Sequence, residues 1–159
     1  MKFGIFLFTM LLSLNVLGQK TVYVNSILNS VKVGYLTNNK QLELGVKNVL
    51  EEVLQDKGYD LVGDKWDAEY LVDVEIVYFD YEQSKTNIGL SHKDENKVVI
   101  RMKGTLSKEG KILKEVNVTD KSNEIVSATG VIASDGKFSS AMVRNAIKKT
   151  CVLVVEKLN

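Results

Sequence analysis

The chain has no proline, one cysteine, one histidine and one tryptophan in 159 residues. Each scarcity excludes something. A chain without proline has no proline-rich stalk or linker. A single cysteine, Cys151, excludes an internal disulfide and a multi-cysteine zinc site. The only histidine, His92, lies beside Asp94 and Glu95, but no further ligands are placed around it for a metal. An excess of one charge is missing too. The chain has 21 basic and 20 acidic residues, which gives no electrostatic case for nucleic acid. Lysine and glutamate alternate without an aromatic-rich basic stripe, so single-strand binding finds no support either. Neither GxxxxGK[ST] nor GxGxxG occurs, and there is no GxSxG elbow. No cofactor is implied.

What is present begins with a targeting segment. Lys2 supplies a positive start, Phe3 to Leu14 an apolar stretch, and Val16-Leu17-Gly18 a small-residue ending. This is the form of a secretory signal peptide over residues 1–18. The apolar stretch is short for a membrane span, so no stable span is expected after cleavage. Residues 19–159 then form one domain, a length sufficient for a core.

The domain is organised around the stretch from Gln41 to Tyr81. Leu42, Val46, Val49, Leu50, Val53 and Leu54 recur at three- and four-residue steps, which predicts a helix over about 39–57 with one buried face. Asn38 or Asn39 is placed to cap it. Gly58 follows as a left-handed stop, with Tyr59 placed to fold back on Leu54. A strand follows. Val72, Val74, Ile76 and Tyr78 alternate with Leu71, Asp73, Glu75, Val77, Phe79 and Tyr81. The second face is polar at Asp73 and Glu75 and apolar again at Phe79, so something is expected to cover the far end. Trp66 is expected to pack at the entrance of this strand.

Around that pair, Thr21–Asn25 predicts a first strand, Asn25, Ser26, Asn29 and Ser30 mark a turn, and Val31–Leu36 either extends the first strand or forms a second short one. Val98–Leu106 is a strand whose Arg101 and Lys103 suit Asp73 and Glu75 on an antiparallel neighbour. On that pairing the two carboxylates form a solvated sheet face rather than an acid–base pair. Lys108-Glu109-Gly110-Lys111 is a hairpin turn, Ile112–Thr119 returns as a strand, and Glu124–Ala128 is a further short one. A loop over Thr129–Lys137 precedes a final helix over about 139–157. It has Ser139 as cap and Phe138 and Val143 as staple. Its buried stripe is Val143, Ile147, Cys151, Val154 and Leu158. Cys151 therefore reads as a small buried apolar group. The fold class is α+β, a mostly antiparallel sheet of about four to five strands packed against two helices.

Glu82–Lys97 breaks the pattern. It is polar, carries the apolar island Ile88-Gly89-Leu90, and is long for a hairpin connection. It reads as an exposed loop. Ile88, Gly89, Leu90 and His92 are the candidate partner-binding residues. An enzyme would have to use loops around His92 and Asp135, and no nucleophile, base or pocket is signalled there.

Three features carry a resemblance: the helix stop Lys57-Gly58-Tyr59, the segment Asp67-Ala68-Glu69-Tyr70, and the alternation from Val72 to Ile76. With the order of elements, they resemble small bacterial envelope modules. The named examples are the periplasmic domain of the curli-secretion channel subunit and the penicillin-binding-protein activator lipoproteins. The chain lacks the lipid-attachment cysteine of those families and shows no membrane hairpins, so neither lipid anchor nor channel carries over. The Gly-Gln ending followed by Lys-Thr-Val-Tyr-Val is similar to exported proteins of Bacteroidetes-type bacteria and of marine phage genomes. The expectation is an exported, non-enzymatic envelope protein, periplasmic or extracellular, that binds a protein partner or itself. The alternative is a structural component of a larger assembly, such as a phage particle or a surface appendage.

Overall fold

In a computed structural model of the chain, the described residues are 20–32, 40–88, 91–124 and 140–159. The signal segment, the caps at Asn38, Asn39 and Ser139, the staple residue Phe138, and the segments 33–36 and 125–137 lie outside them. Five strands form one mixed sheet: β1 (Thr21–Asn29), β2 (Asp60–Leu61), β3 (Tyr70–Ile88), β4 (Ser91–Lys108) and β5 (Lys111–Glu124). Their spatial order is β2-β1-β3-β4-β5. Two helices, α1 (Lys40–Asp56) and α2 (Ser140–Leu158), follow β1 and β5. β1 runs parallel to both β2 and β3, and the pairs β3–β4 and β4–β5 are antiparallel. The α+β class and both helices are as expected. The parallel pairing of β1 follows from α1, which carries the chain back so that β2 starts beside Thr21.

The α1 face is the one its spacing predicts: Leu42, Val46, Val49, Leu50, Val53 and Leu54 are buried. Its end is a Schellman motif. The Tyr59 N–H donates to the Leu54 carbonyl at 3.1 Å and the Gly58 N–H to Gln55 at 2.9 Å, with Gly58 at φ 84°. α2 buries Met142, Ala146, Ile147, Cys151, Val154, Val155 and Leu158. Val143 is only half-buried, because Met142 and Ala146 take the inner position one residue earlier. Thr150 is fully buried, and its hydroxyl donates to the Ala146 carbonyl at 2.8 Å. The two helices run side by side with their C-termini together. Lys57 meets Glu156 at 2.8 Å, and Lys148 meets Glu52 at 2.7 Å.

Three expectations about strands are corrected. First, β1 does not turn at Asn25. It continues to Asn29 through a bulge between Val24 and Ser26, and the Asn25 and Ser26 side chains both donate to Asp73. An extra residue in a strand breaks the alternation that marks it in sequence. Second, Phe79 belongs to the core face. A bulge between Ile76 and Tyr78 leaves Val77 out of the ladder and shifts the parity. Phe79 is therefore buried on the same side as Val72, Val74 and Ile76. Third, Glu82–Lys97 is not a loop. Its residues up to Ile88 and from Ser91 continue β3 and β4 in unbroken antiparallel register. Backbone pairing needs no apolar face, so a polar stretch can be strand without a period-two signal.

The register also adjusts the charge pairing. Glu75 lies opposite Lys103 as expected, but Asp73 faces Thr105 and Arg101 faces Tyr78. The Arg101 guanidinium stacks 4.8 Å from the Tyr78 ring. On the core face, Gly104 of β4 is the point of closest approach. A Cβ there would lie 2.6 Å from Val154 and 3.3 Å from Val116. Gly104→Ala is expected to lower stability by about 1–3 kcal/mol through overpacking. Thermal unfolding checks it, with the neighbouring Thr105→Ala as control.

Candidate interaction surfaces

β3 and β4 are longer than the strands beside them. β1 covers the far edge of β3 only as far as Ile76, and β5 covers β4 only from Asn96. Ser84–Ile88 and Ser91–Glu95 therefore pair with each other alone among the described residues. They form a two-stranded ribbon about 17 Å long, at roughly 3.4 Å per residue. A two-stranded ribbon by itself is marginally stable in water. Ile88 ends β3 opposite Ser91, and His92 pairs with Asn87. The structure thus brings Ile88 and His92 to one hairpin end. Gly89 and Leu90 lie outside the described residues, as does Asp135.

Trp66 does not pack at the entrance of β3. It is 82% exposed, on the turn between β2 and β3. Asp64 organises that turn by accepting the Trp66 N–H at 3.1 Å, and its carbonyl takes the Asp67 N–H at 3.2 Å. The Lys65 ammonium lies 4.8 Å from the indole. The sequence signal was there: Gly63-Asp64-Lys65 is a turn, and Trp66 belongs to it rather than to the strand. The same end of the sheet is tied by Glu69, which Lys108 holds at 2.7 Å and whose carboxyl this hydrogen bond keeps below the usual range. Sequence reasoning missed the Tyr70 ring between Lys20 and Lys108, at 5.9 and 5.2 Å.

The groups that could do chemistry are engaged structurally. Asp73 accepts from Asn25 at 2.7 Å, and Lys103 pairs with Glu115 at 2.9 Å. Glu52 sits between Lys148 and Arg144, and its hydrogen bond to Lys148 keeps its carboxyl below the usual pKa range. Cys151 is buried on α2, as expected, and burial pushes its thiol up to about 12. Among the described residues, no group of three or more His, Cys, Asp or Glu side chains could hold a metal. No helix among them is long and apolar enough to cross a membrane.

No protein-family model matches the chain. The serine-protein kinase RsbW of Staphylococcus aureus is 32% identical to it over 117 residues, 73% of this chain. The chain spans 65% of the length of these curated relatives. Among solved structures, the PelC dodecamer from Paraburkholderia phytofirmans superposes with a TM-score of 0.52 at 14% identity, covering 84% of this chain and 87% of that one. That likeness is one of fold. The rare lipoprotein B of Shewanella oneidensis aligns with a TM-score of 0.49 at 9% identity, over 87% of this chain and 92% of its own. Bacterial lipoproteins recur among the structural neighbours.

Two outcomes follow. Native Cys151 is expected to resist a thiol reagent at pH 8 and to react fully once the chain is unfolded. Because the folded thiol keeps its proton up to about 12 against 9.0 when free, its contribution to stability is complete below about pH 9 and is lost as pH rises from there. The Trp66 fluorescence of the folded chain should be quenched by acrylamide nearly as strongly as that of the unfolded chain. A shielded tryptophan would contradict its place on the surface.

Proposed function

We propose that the chain is an exported, non-enzymatic envelope protein that binds a protein partner or assembles with itself. Its contact element on this reading is the β3–β4 ribbon. The observation that carries the proposal is the ribbon itself: paired backbone projecting past both neighbouring strands, with Ile88 and His92 at its end. A marginal element of this kind gains order when something packs on it. The signal-like residues 1–18 support export. The PelC fold has been solved as a dodecamer, which makes self-association the first form to test. A structural role in a phage particle or a surface appendage is the more specific version of the same reading.

The similarity to RsbW is the observation on the side of an enzyme, but it covers part of that protein only. Among the described residues, the carboxylates of shifted acidity, Glu52 and Glu69, are held in surface ion pairs. Neither is aimed at a site where a proton could be taken from a substrate. We expect no transfer of labelled phosphate from ATP to the chain or to a companion protein.

The deciding experiment is light scattering on residues 19–159 across a concentration series, with crosslinking in the native envelope. The expected result is a discrete oligomer or one crosslinked partner, reduced at least several-fold by Ile88→Ser with Leu90→Ser at unchanged melting temperature. A monomer without a partner, or a double variant that behaves as wild type, removes the ribbon from this role.

A further inference from the structure

A second open surface lies on β1, away from the ribbon, and does not depend on it. β2 covers the outer edge of β1 only at Thr21 and Val22; the Val62 N–H adds one bond to the Val22 carbonyl at 3.1 Å. From Tyr23 to Leu28, no described residue pairs with that edge. A groove of about 330 Å³ follows it. Consecutive residues from Tyr23 to Ile27 line the groove. Neighbouring side chains on a strand point to opposite faces, so both line one groove only where it runs along the backbone edge. The other wall is one stripe of α1, namely Lys40, Glu43, Leu44 and Lys47.

The chemistry of this wall is specific. Leu44 is 59% exposed, an apolar side chain on a helix whose buried stripe lies elsewhere. Lys40 and Lys47 bring two positive charges to the groove. The Glu43 carboxylate is already occupied by the Asn29 N–H at 3.0 Å. Lys47 is held only loosely by Glu51, at 3.8 Å. An open strand edge presents unpaired N–H and C=O groups at fixed spacing. A helix alongside supplies the side-chain contacts that select the added strand. The edge from Tyr23 to Leu28 is about 20 Å long, at roughly 3.3 Å per residue.

We propose that the open edge of β1 accepts an extended peptide of a partner protein as an added strand. The peptide carries an aspartate or glutamate beside apolar residues. Its backbone pairs with Tyr23–Leu28, its carboxylate meets Lys40 and Lys47, and an apolar side chain covers Leu44. The acidic character follows from the groove's two cations, Lys40 and Lys47, beside a Glu43 carboxylate that the Asn29 N–H already occupies.

The test uses a phage-displayed library of random octapeptides panned on the folded chain. Enriched peptides are expected to alternate β-branched residues with an aspartate or glutamate. A synthetic peptide from the strongest clone should slow amide exchange at Tyr23–Leu28. Lys40→Glu with Lys47→Glu should weaken it about tenfold or more at unchanged melting temperature, near 1.4 kcal/mol. Leu44→Ser should weaken it too, while the ribbon variants at Ile88 and Leu90 leave it unchanged. Absence of enrichment, acid-free peptides, binding that survives charge reversal, or protection elsewhere would each overturn the proposal. So would a native oligomer that dissociates on charge reversal without peptide, which would put a second copy of the chain in the groove.

Discussion

The molecule depends on how closely α2 can approach the sheet. All the apolar residues of the sheet's inner face must be covered by two helices lying side by side, and the second can settle only where β4 has no side chain. Gly104 is that place, with Val154 of α2 directly above it and Leu158 and Val116 alongside. The inner residues Met102 and Ile100 are buried in the same core cluster as the inward face of that helix. With α2 seated, α1 has a neighbour to pack on, and the Glu52–Lys148 and Lys57–Glu156 contacts fix the helices in parallel. These ion pairs are surface features and set direction more than they add stability.

The elements that were legible in the sequence are those whose burial is strictly periodic. The α1 stripe from Leu42 to Leu54 and its stop at Gly58 could be read residue by residue, because a helix that buries one face writes that face at steps of three and four. The Val72–Ile76 alternation was legible for the matching reason. Two bulges hid the rest. Val77 carries the strand through half a step, so Phe79 looked as if it pointed away from the core when it lies deep within it. Asn25 does the same to β1, and because asparagine and serine are turn residues, the bulge resembled the end of a strand.

The candidate site was harder to read. The residues Ile88 and His92 were singled out as lying on a loop, and their place at one hairpin end came from the backbone ladder. A strand that pairs without burying a face leaves no apolar rhythm, so from composition alone Ser84–Glu95 resembles any polar connection. Trp66 failed in the opposite sense. Its size argued for burial, but an Asp64-organised turn two residues earlier placed it outside. Local hydrogen-bonding residues therefore outweighed apolar area at this position.

The two ends of the domain differ in how their backbone is used. Where the helices finish, Tyr59 donates to Asn159, Lys114 to the Asn159 carbonyl, and Lys108 to Glu69. Every strand that begins or ends there is tied to a neighbour or a helix terminus. At the other end, β1 runs on past β2, and β3 and β4 run on past both neighbours. Unpaired strand edges are costly to leave exposed, since they invite indiscriminate pairing. Two of them, on β1 and on the ribbon, lie at this end and are flanked by charge. Lys40 and Lys47 border the β1 edge, and the ribbon sequence from Ser84 to Glu95 carries lysines, an aspartate and a glutamate. Charge beside an open edge rejects most strands and admits those of complementary sign. The core beneath this end is held by the helices, while the strand edges that run past it keep backbone groups open to pairing.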